Sequence, residues 1–448
     1  VTGRELSYRE AVGEALREAL ERDERVLVMG QDVGVRGGAF GVTAGLLEAF
    51  GPARVRDAPS SEAALVGVGV GAALAGLRPV GELTTASFAA LAFDQLIHHA
   101  APLRALSGGR LSAPLVVRLP QGGGARLGPI HSQTLEALLH HIPGLVVATP
   151  ATPGDAKGLL AAAIASDDPV VVLEHGSLYG TRGSVGDQDV APLGRAVVRR
   201  AGSDVTIVAG SRMAVVAAEA AERLAGEHGI DAELVDLRTV RPLDHATIAA
   251  SVRRTRHAVL VEEGWPAGGG GATLAARIAG AAPGRPLTRV TGADVPIPYA
   301  AALERLAIPD AAAIVDATLR LLATRAGDGR GAAAEPDHTM SADVDMEALR
   351  ATGTPLADAV AAAIAPLVDG AAIVLPDGTV TLLGTPGARP ATTVTFGPTT
   401  TRPTAHAGAV TIRHLAPLPI RLAATTPDPP ARFAALRAAL EGEGQGAL

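Results

Sequence analysis

The sequence predicts an α/β fold: two successive α/β domains followed by a small α+β module. Three observations carry this. Short apolar runs alternate with helix-like segments over most of the chain, the pattern of a parallel sheet with crossover helices. The 448 residues are too many for one ordinary domain. Apolar residues make up 48% of the chain but aromatic ones only 2%, so the core must be built from Ala, Val and Leu with close helix packing.

The elements follow in order. Residues 7–22 read as a helix, with Ser7 at the N-cap and Glu10 three positions on, the spacing of a capping box. Residues 26–29 read as a buried strand, 44–50 as a helix stopped by Gly51-Pro52, and 55–57 as extended. A helix starts at Ser61, then strand 79–82, helix 88–99 and strand 115–118 follow. Residues 122–128 form a glycine-rich loop that leads into a helix over 131–141. Strand 145–148, helix 153–166 and strand 170–173 complete a first domain, 1–185. The polar, turn-rich stretch 180–194 marks a boundary. A second domain, 190–325, has strands at 205–209, 231–236, 258–262 and 289–291, with helices at 213–227, 244–254, 273–278 and 314–324. Residues 326–337 read as a flexible linker of Gly, Ala and charge. The accessory module, 338–448, has helical stretches within 346–367 and at 430–441 around short Thr- and Val-rich strands.

Composition excludes several functions. The net charge is −7 and no long basic run occurs, so nucleic acid is not an expected partner. Absence of Cys removes disulfides, thiolate nucleophiles and Cys-based zinc sites. No uninterrupted apolar stretch reaches the roughly 18 residues a membrane span needs. The start of the chain is polar and unlike a signal peptide, so a cytoplasmic location is expected. Lys occurs once, as Lys157, outside any P-loop pattern, and Asn does not occur at all.

Ser60-Ser61-Glu62 is the stretch most suggestive of chemistry. It puts a carboxylate where an extended segment turns into a helix of small apolar residues. None of Ala63, Ala64, Leu65, Val66, Val68 or Val70 can partner it, so a charge there is costly to bury unless a polar ligand meets it. The bland alternative is an acid in the first turn, favoured by the helix dipole. Gly67-x-Gly69-x-x-Ala72 fits the loosest dinucleotide fingerprint, but its glycines lie inside the helix and close packing accounts for them better. The glycine-rich loop ends in His131-Ser132-Gln133, and a His there suits proton transfer near neutral pH or is simply a solvated loop residue. The pair His140–His141 reads as a helix-end dipole contact, and Glu262-Glu263-Gly264-Trp265 as a site or as packing.

The ordered set of these pieces carries a resemblance. Asp57-Ala-Pro-Ser-Ser-Glu62, Gly71-Ala-Ala-Leu-Ala-Gly-Leu-Arg-Pro79, Gly128-Pro-Ile-His-Ser-Gln133 and Asp155-Ala-Lys-Gly158 come first. Pro169-Val-Val-Val-Leu-Glu174, Asp236-Leu-Arg-Thr-Val-Arg-Pro-Leu-Asp244, Glu263-Gly-Trp-Pro266 and Val290-Thr-Gly-Ala-Asp-Val-Pro-Ile-Pro-Tyr299 follow. Residues 5–325 thereby resemble the beta subunit of the thiamine-diphosphate-dependent 2-oxo acid dehydrogenases, the decarboxylating component of pyruvate, branched-chain and acetoin dehydrogenase complexes. The resemblance implies a transketolase-like pyrimidine-binding domain and a transketolase C-terminal-like domain. It implies that Glu62 bonds N1′ of the thiamine aminopyrimidine and that His131 serves acyl transfer to a lipoyl arm. It puts Thr84 and Phe88 beside the pyrimidine ring; the family often has Met where Thr84 stands. Gln31-Asp32 stands where the family usually has two acids. The carbonyls of Leu115, Ala163, Ser166 and Asp168 match a potassium site of some members.

The family holds magnesium and diphosphate with Gly-Asp-Gly followed by Asn. Gly327-Asp328-Gly329 falls in the linker with no Asn to complete it, so that match reads as accidental. The resemblance implies an alpha subunit that supplies that half of the site in an α2β2 tetramer, with a 2-oxo acid as substrate. A lipoyl-bearing dihydrolipoyl acyltransferase is the implied acceptor. A transketolase-type transferase half-subunit and a non-catalytic assembly scaffold are the alternatives. The third segment weakly resembles a dihydrolipoyl acyltransferase domain at 336–350 and 431–440. At 422–430 it lacks that family's His-x-x-x-Asp-Gly, so it reads as a degenerate module used in assembly.

Overall fold

A computed structural model describes residues 4–186 and 191–323 in full. Beyond them it describes the backbone of four short strands, Ala372–Val374, Thr379–Leu383, Thr392–Thr395 and Ala423–Ala424. The expected linker 326–337, the expected helices within 346–367 and at 430–441, and Gly327-Asp328-Gly329 lie outside the described residues, as do the segments that carry the acyltransferase-like reading, save Ala423–Ala424. The chain divides into two compact units, Val1–Ala332 and Ala333–Leu448. In the second, the four strands pair antiparallel in the order 392–395, 379–383, 372–374, 423–424.

The first unit holds two large sheets. One has seven strands in the order Thr239–Arg241, Val146–Ala148, Val170–His175, Val116–Gln121, Arg78–Glu82, Val26–Gly30, Val55–Asp57. All are parallel except Thr239–Arg241. The other has five, Leu287–Val290, Ala258–Val261, Val205–Ala209, Ala232–Asp236, Val197–Arg200, of which the last is antiparallel. The central strands are buried along their whole length, which is why they read as continuous apolar runs.

Local chemistry sets the helix ends. Ser7 Oγ accepts from the Glu10 N–H at 3.2 Å, and the Ser7 N–H donates to Glu10 Oε2 at 2.7 Å, closing the capping box of Tyr8–Arg22. That helix buries Tyr8, Ala11, Val12, Ala15, Leu16 and Leu20. Lys157 ties it to the helix Pro153–Ala165 through Glu14 at 2.5 Å and Glu18 at 2.8 Å. In Glu62–Leu74, a Cβ on Gly69 would lie 2.8 Å from Leu115 Cδ1, so the glycine serves close packing.

The structure corrects two readings and adds two strands. Residues 88–99 are not one α-helix: Ala86–Ala92 is a 3₁₀ segment and Gln95–Ala100 is π-helical. Ala86, Ala89 and Ala92 are wholly buried, a spacing of three that falls in line at three residues per turn. The expected helix 131–141 is two, Gly128–His131 and Glu136–His140. The Gly122 N–H bonds Gln133 O, and the Leu135 N–H bonds Gln121 Oε1, which holds the chain between them away from helical pairing. The stretch 180–194 contains a strand, Arg182–Val185, paired with Arg4–Ser7. Finally, Thr239–Arg241 crosses from the second half of the chain to the edge of the first sheet.

Arg118 is the largest fully buried side chain. Its guanidinium donates to Glu82 Oε2 at 2.6 Å and to both oxygens of Glu174 at 2.7 and 2.8 Å. Burial alone would weaken its charge, but Glu174 and Glu82 raise its pKa further above the ordinary arginine value. Tyr179 adds a hydroxyl bond to Glu174 at 2.8 Å. Replacing Arg118 by Met leaves two carboxylates buried without a cation. We expect a loss of about 3–5 kcal/mol of stability in urea unfolding; a change within about 0.5 kcal/mol, as for an ordinary surface site, contradicts the role.

Candidate active site

Four loops leave the carboxyl ends of the parallel strands, where open α/β sheets present their sites. They follow Val26–Gly30, Val55–Asp57, Arg78–Glu82 and Val116–Gln121. Gln31 gathers two of the other loops: its Oε1 accepts from Ser60 Oγ at 2.7 Å and from Thr84 Oγ1 at 3.3 Å. Asp57 steadies the Gln31 loop by accepting from the N–H groups of Gly34 and Val35 at 2.7 and 3.2 Å.

Glu62 is the first residue of its helix and only 8% exposed. Among the described residues its carboxylate has no hydrogen-bond or ion-pair partner. An acid largely covered by the protein yet unpaired within it is open to a ligand's donor. Phe88 is half-buried, and the exposed His131 meets it edge-on with ring centroids 5.5 Å apart. Thr84 is half-buried and joined through Gln31 to the segment that ends in Glu62. Phe88 and His131 are thus in contact, and Thr84 and Glu62 stand on loops that share one amide.

The four carbonyls matched to potassium are each engaged once. Leu115 O accepts from the Val170 N–H at 2.9 Å and Ala163 O from the Ser166 N–H at 3.1 Å. Ser166 O accepts from Arg78 Nη1 at 2.9 Å, and Asp168 O from Ser166 Oγ at 3.2 Å. Each keeps a second lone pair, and the Arg78 charge stands beside them. Among the described residues no group of three or more His, Cys, Asp or Glu side chains is placed to hold a metal. No helix among them is long and apolar enough to cross a membrane.

The glycine-rich loop is held from behind by Glu263, from the stretch read as a site or as packing, and by Glu136, His175 and Glu304, which local sequence reading missed. Gln121 Nε2 donates to Glu136 Oε1 at 2.5 Å. The Gly123 N–H donates to Glu263 Oε1 at 2.6 Å, and Glu263 Oε2 meets His175 Nε2 at 2.9 Å. Glu304 Oε1 accepts from the N–H groups of Gly124 and Arg126 at 2.9 and 3.0 Å. Gly128 has φ +74°, and the Tyr299 ring fills the space a side chain would need. A cleft of about 300 Å³ between the sheets is lined by Glu136, His140, His175, Arg212 and Glu263, among others. The one available signal was chemical: Glu304 is the single acid in the apolar run Ala301–Ala307. His140 does not serve its helix end; its Nδ1 bonds Val240 O at 2.7 Å, in the crossing strand. Trp265 Nε1 donates to Val295 O at 2.9 Å, a packing role.

The cleft acids differ electrically. Burial opposes a charge on Glu263, but His175, the Gly123 N–H and Arg212 hold it down at about 2. Burial pushes Glu136 up to about 7 from an ordinary 4.5. The folded protein therefore keeps this proton where the unfolded chain has lost it. The stabilisation is complete below pH 4.5 and is lost as the pH rises to about 7. Glu136→Gln keeps the neutral form throughout. It should melt at a higher temperature than the parent at pH 8 and at a similar one at pH 4.5. A difference that does not change with pH contradicts the assignment.

Comparison with known proteins is consistent with this geometry. The family described as Transketolase, pyrimidine binding domain matches residues 4–181, and Transketolase, C-terminal domain matches 194–314. The chain is 46% identical over 325 residues to pyruvate dehydrogenase E1 component subunit beta-1, mitochondrial, of Arabidopsis thaliana, covering 71% of this chain and 89% of that one. It is 45% identical over 317 residues to pyruvate dehydrogenase E1 component subunit beta of Rhizobium meliloti, covering 70% and 69%. A solved structure titled "Split gene transketolase, inactive beta4 tetramer" superposes with a TM-score of 0.59 at 25% identity, covering 71% of this chain and 98% of that one.

Proposed function

Because this chain belongs to the beta-subunit family of the 2-oxo acid dehydrogenases, we propose that Glu62 is its cofactor-directed acid and His131 its acyl-transfer residue. The protein is the beta subunit of a decarboxylating 2-oxo acid dehydrogenase component, and its cofactor is thiamine diphosphate. In this reading the first domain spans 1–185 and the second 190–325. The observation that carries it is the buried, unpartnered carboxylate of Glu62 at the carboxyl end of a parallel sheet.

Thiamine diphosphate, when bound, supplies the carbon nucleophile and the electron sink that loss of carbon dioxide requires. The residues present suit its pyrimidine half. Glu62 has an oxygen free to bond N1′ and to hold or release a proton there. Phe88, a half-buried ring, and Thr84, fixed by Gln31, would be the side chains that hold the heterocycle. In this reading His131, exposed and backed by Phe88, would move a proton as the acyl group leaves for a lipoyl disulfide. The diphosphate and magnesium fall mainly to an alpha subunit in an α2β2 assembly, and the lipoyl arm to a dihydrolipoyl acyltransferase. A potassium ion would use the second lone pairs of the Leu115, Ala163, Ser166 and Asp168 carbonyls and act on that turn alone. A cytoplasmic location belongs to the same proposal.

Two other readings are weaker. A transketolase-type transferase half-subunit has the lower sequence similarity, 25% against 46%. A non-catalytic scaffold gives no reason for a buried acid kept without a partner.

The test is reconstitution with the alpha subunit, thiamine diphosphate and magnesium, with this chain alone as control. The mixture should release carbon dioxide from a 2-oxo acid. Glu62→Ala should assemble normally and turn over at least about a hundredfold more slowly. Assembly with undiminished turnover removes Glu62 from the role.

A further inference from the structure

We propose that Glu304 and Glu263, two carboxylates of the second lobe, are positioning residues that set the loop carrying His131 for acyl transfer. The inference rests on the reading of His131 above and deepens it. The loop leaves Val116–Gln121, runs through three successive glycines, Gly122, Gly123 and Gly124, and ends in the short helix Gly128–His131. Such a run has little conformational preference of its own, so something outside it must fix its path. The structure shows what does. Three N–H groups within four residues, of Gly123, Gly124 and Arg126, are spent on carboxylates from another part of the chain. Their separations in sequence, 140, 180 and 178 residues, make this a tertiary clamp.

Both carboxylates are buried, Glu304 at 3% and Glu263 at 9% exposure. A buried carboxylate accepting backbone N–H groups makes strong, charge-assisted bonds with fixed geometry. Glu263 is itself held by His175 on its second oxygen, so its aim at Gly123 is set from behind. Ile308 covers Gly123 and Tyr299 covers Gly128, both again from the second lobe. At the end of the loop His131 meets Phe88. The second lobe thus reaches the candidate chemistry through these carboxylates without touching substrate.

The experiment uses the reconstituted complex carrying Glu304→Ala, Glu304→Gln or His131→Ala. Three readouts are taken: amide hydrogen exchange of the 121–131 peptide, decarboxylation with ferricyanide as acceptor, and acyl transfer to a lipoyl domain. Glu304→Ala should speed exchange across 123–126 and slow lipoyl transfer, each by about tenfold or more. The ferricyanide rate should change less than about twofold, because Glu62 and Phe88 are not on this loop. Glu304→Gln keeps an acceptor oxygen and should recover most of both losses. Unchanged exchange, or equal falls in the two rates, overturns the proposal while leaving His131 in place. Normal lipoyl transfer by His131→Ala overturns the reading it rests on, and the proposal with it.

Discussion

A guanidinium shut away from water must have its charge met, and Arg118 has it met from both sides. Glu82 closes one flank and Glu174 the other. Each of these acids sits beside a residue of the candidate site. Glu82 ends its strand two residues before Thr84, and its carboxylate is bonded by the Ala39 N–H and packs against Gly38, in the loop that begins at Gln31. Glu174 precedes His175, which aims Glu263 at the glycine-rich loop. Arg118 itself lies on the strand that becomes that loop. One buried cation therefore fixes the relative height of three strand ends, and the site is built on those ends. Replacing the network by an apolar core could preserve stability. It would lose the register that polar geometry imposes.

Part of this was legible in the residues. Ser7 with Glu10, the apolar strands and the carboxylate at Glu62 are local patterns, set by neighbours within a few positions. They need no knowledge of the rest of the chain. Arg118 with Glu82 and Glu174 spans 36 and 56 residues, and nothing near any of them announces the others. The same holds for Glu304 and the loop it grips. Thr239–Arg241 is too short to announce itself, since three residues with a single apolar one, Val240, show no alternation, and its pairing comes from the sheet edge it meets. The 3₁₀ segment hid in a helix-like composition, and only the burial of every third alanine distinguishes it.

The second lobe is coupled to the first at several points besides that strand. His140 bonds the Val240 carbonyl, and Arg241 returns a bond to the His140 carbonyl at 2.8 Å. Asp155, buried at the start of its helix, pairs with both Arg199 and Arg238. These contacts make the lobes one mechanical body within the first unit. An acid on the second lobe can then steer a loop on the first through these shared contacts.

The account turns on Glu62 acting at the pyrimidine before any substrate arrives. The most direct measurement is the rate at which the C2 proton of thiamine diphosphate exchanges with deuterated water in the reconstituted complex, read by nuclear magnetic resonance without 2-oxo acid or lipoyl acceptor. Exchange should be fast with Glu62 and at least about a hundredfold slower with Glu62→Gln at saturating cofactor. Equal exchange rates in the two complexes would show that the proton leaves without help from this carboxylate.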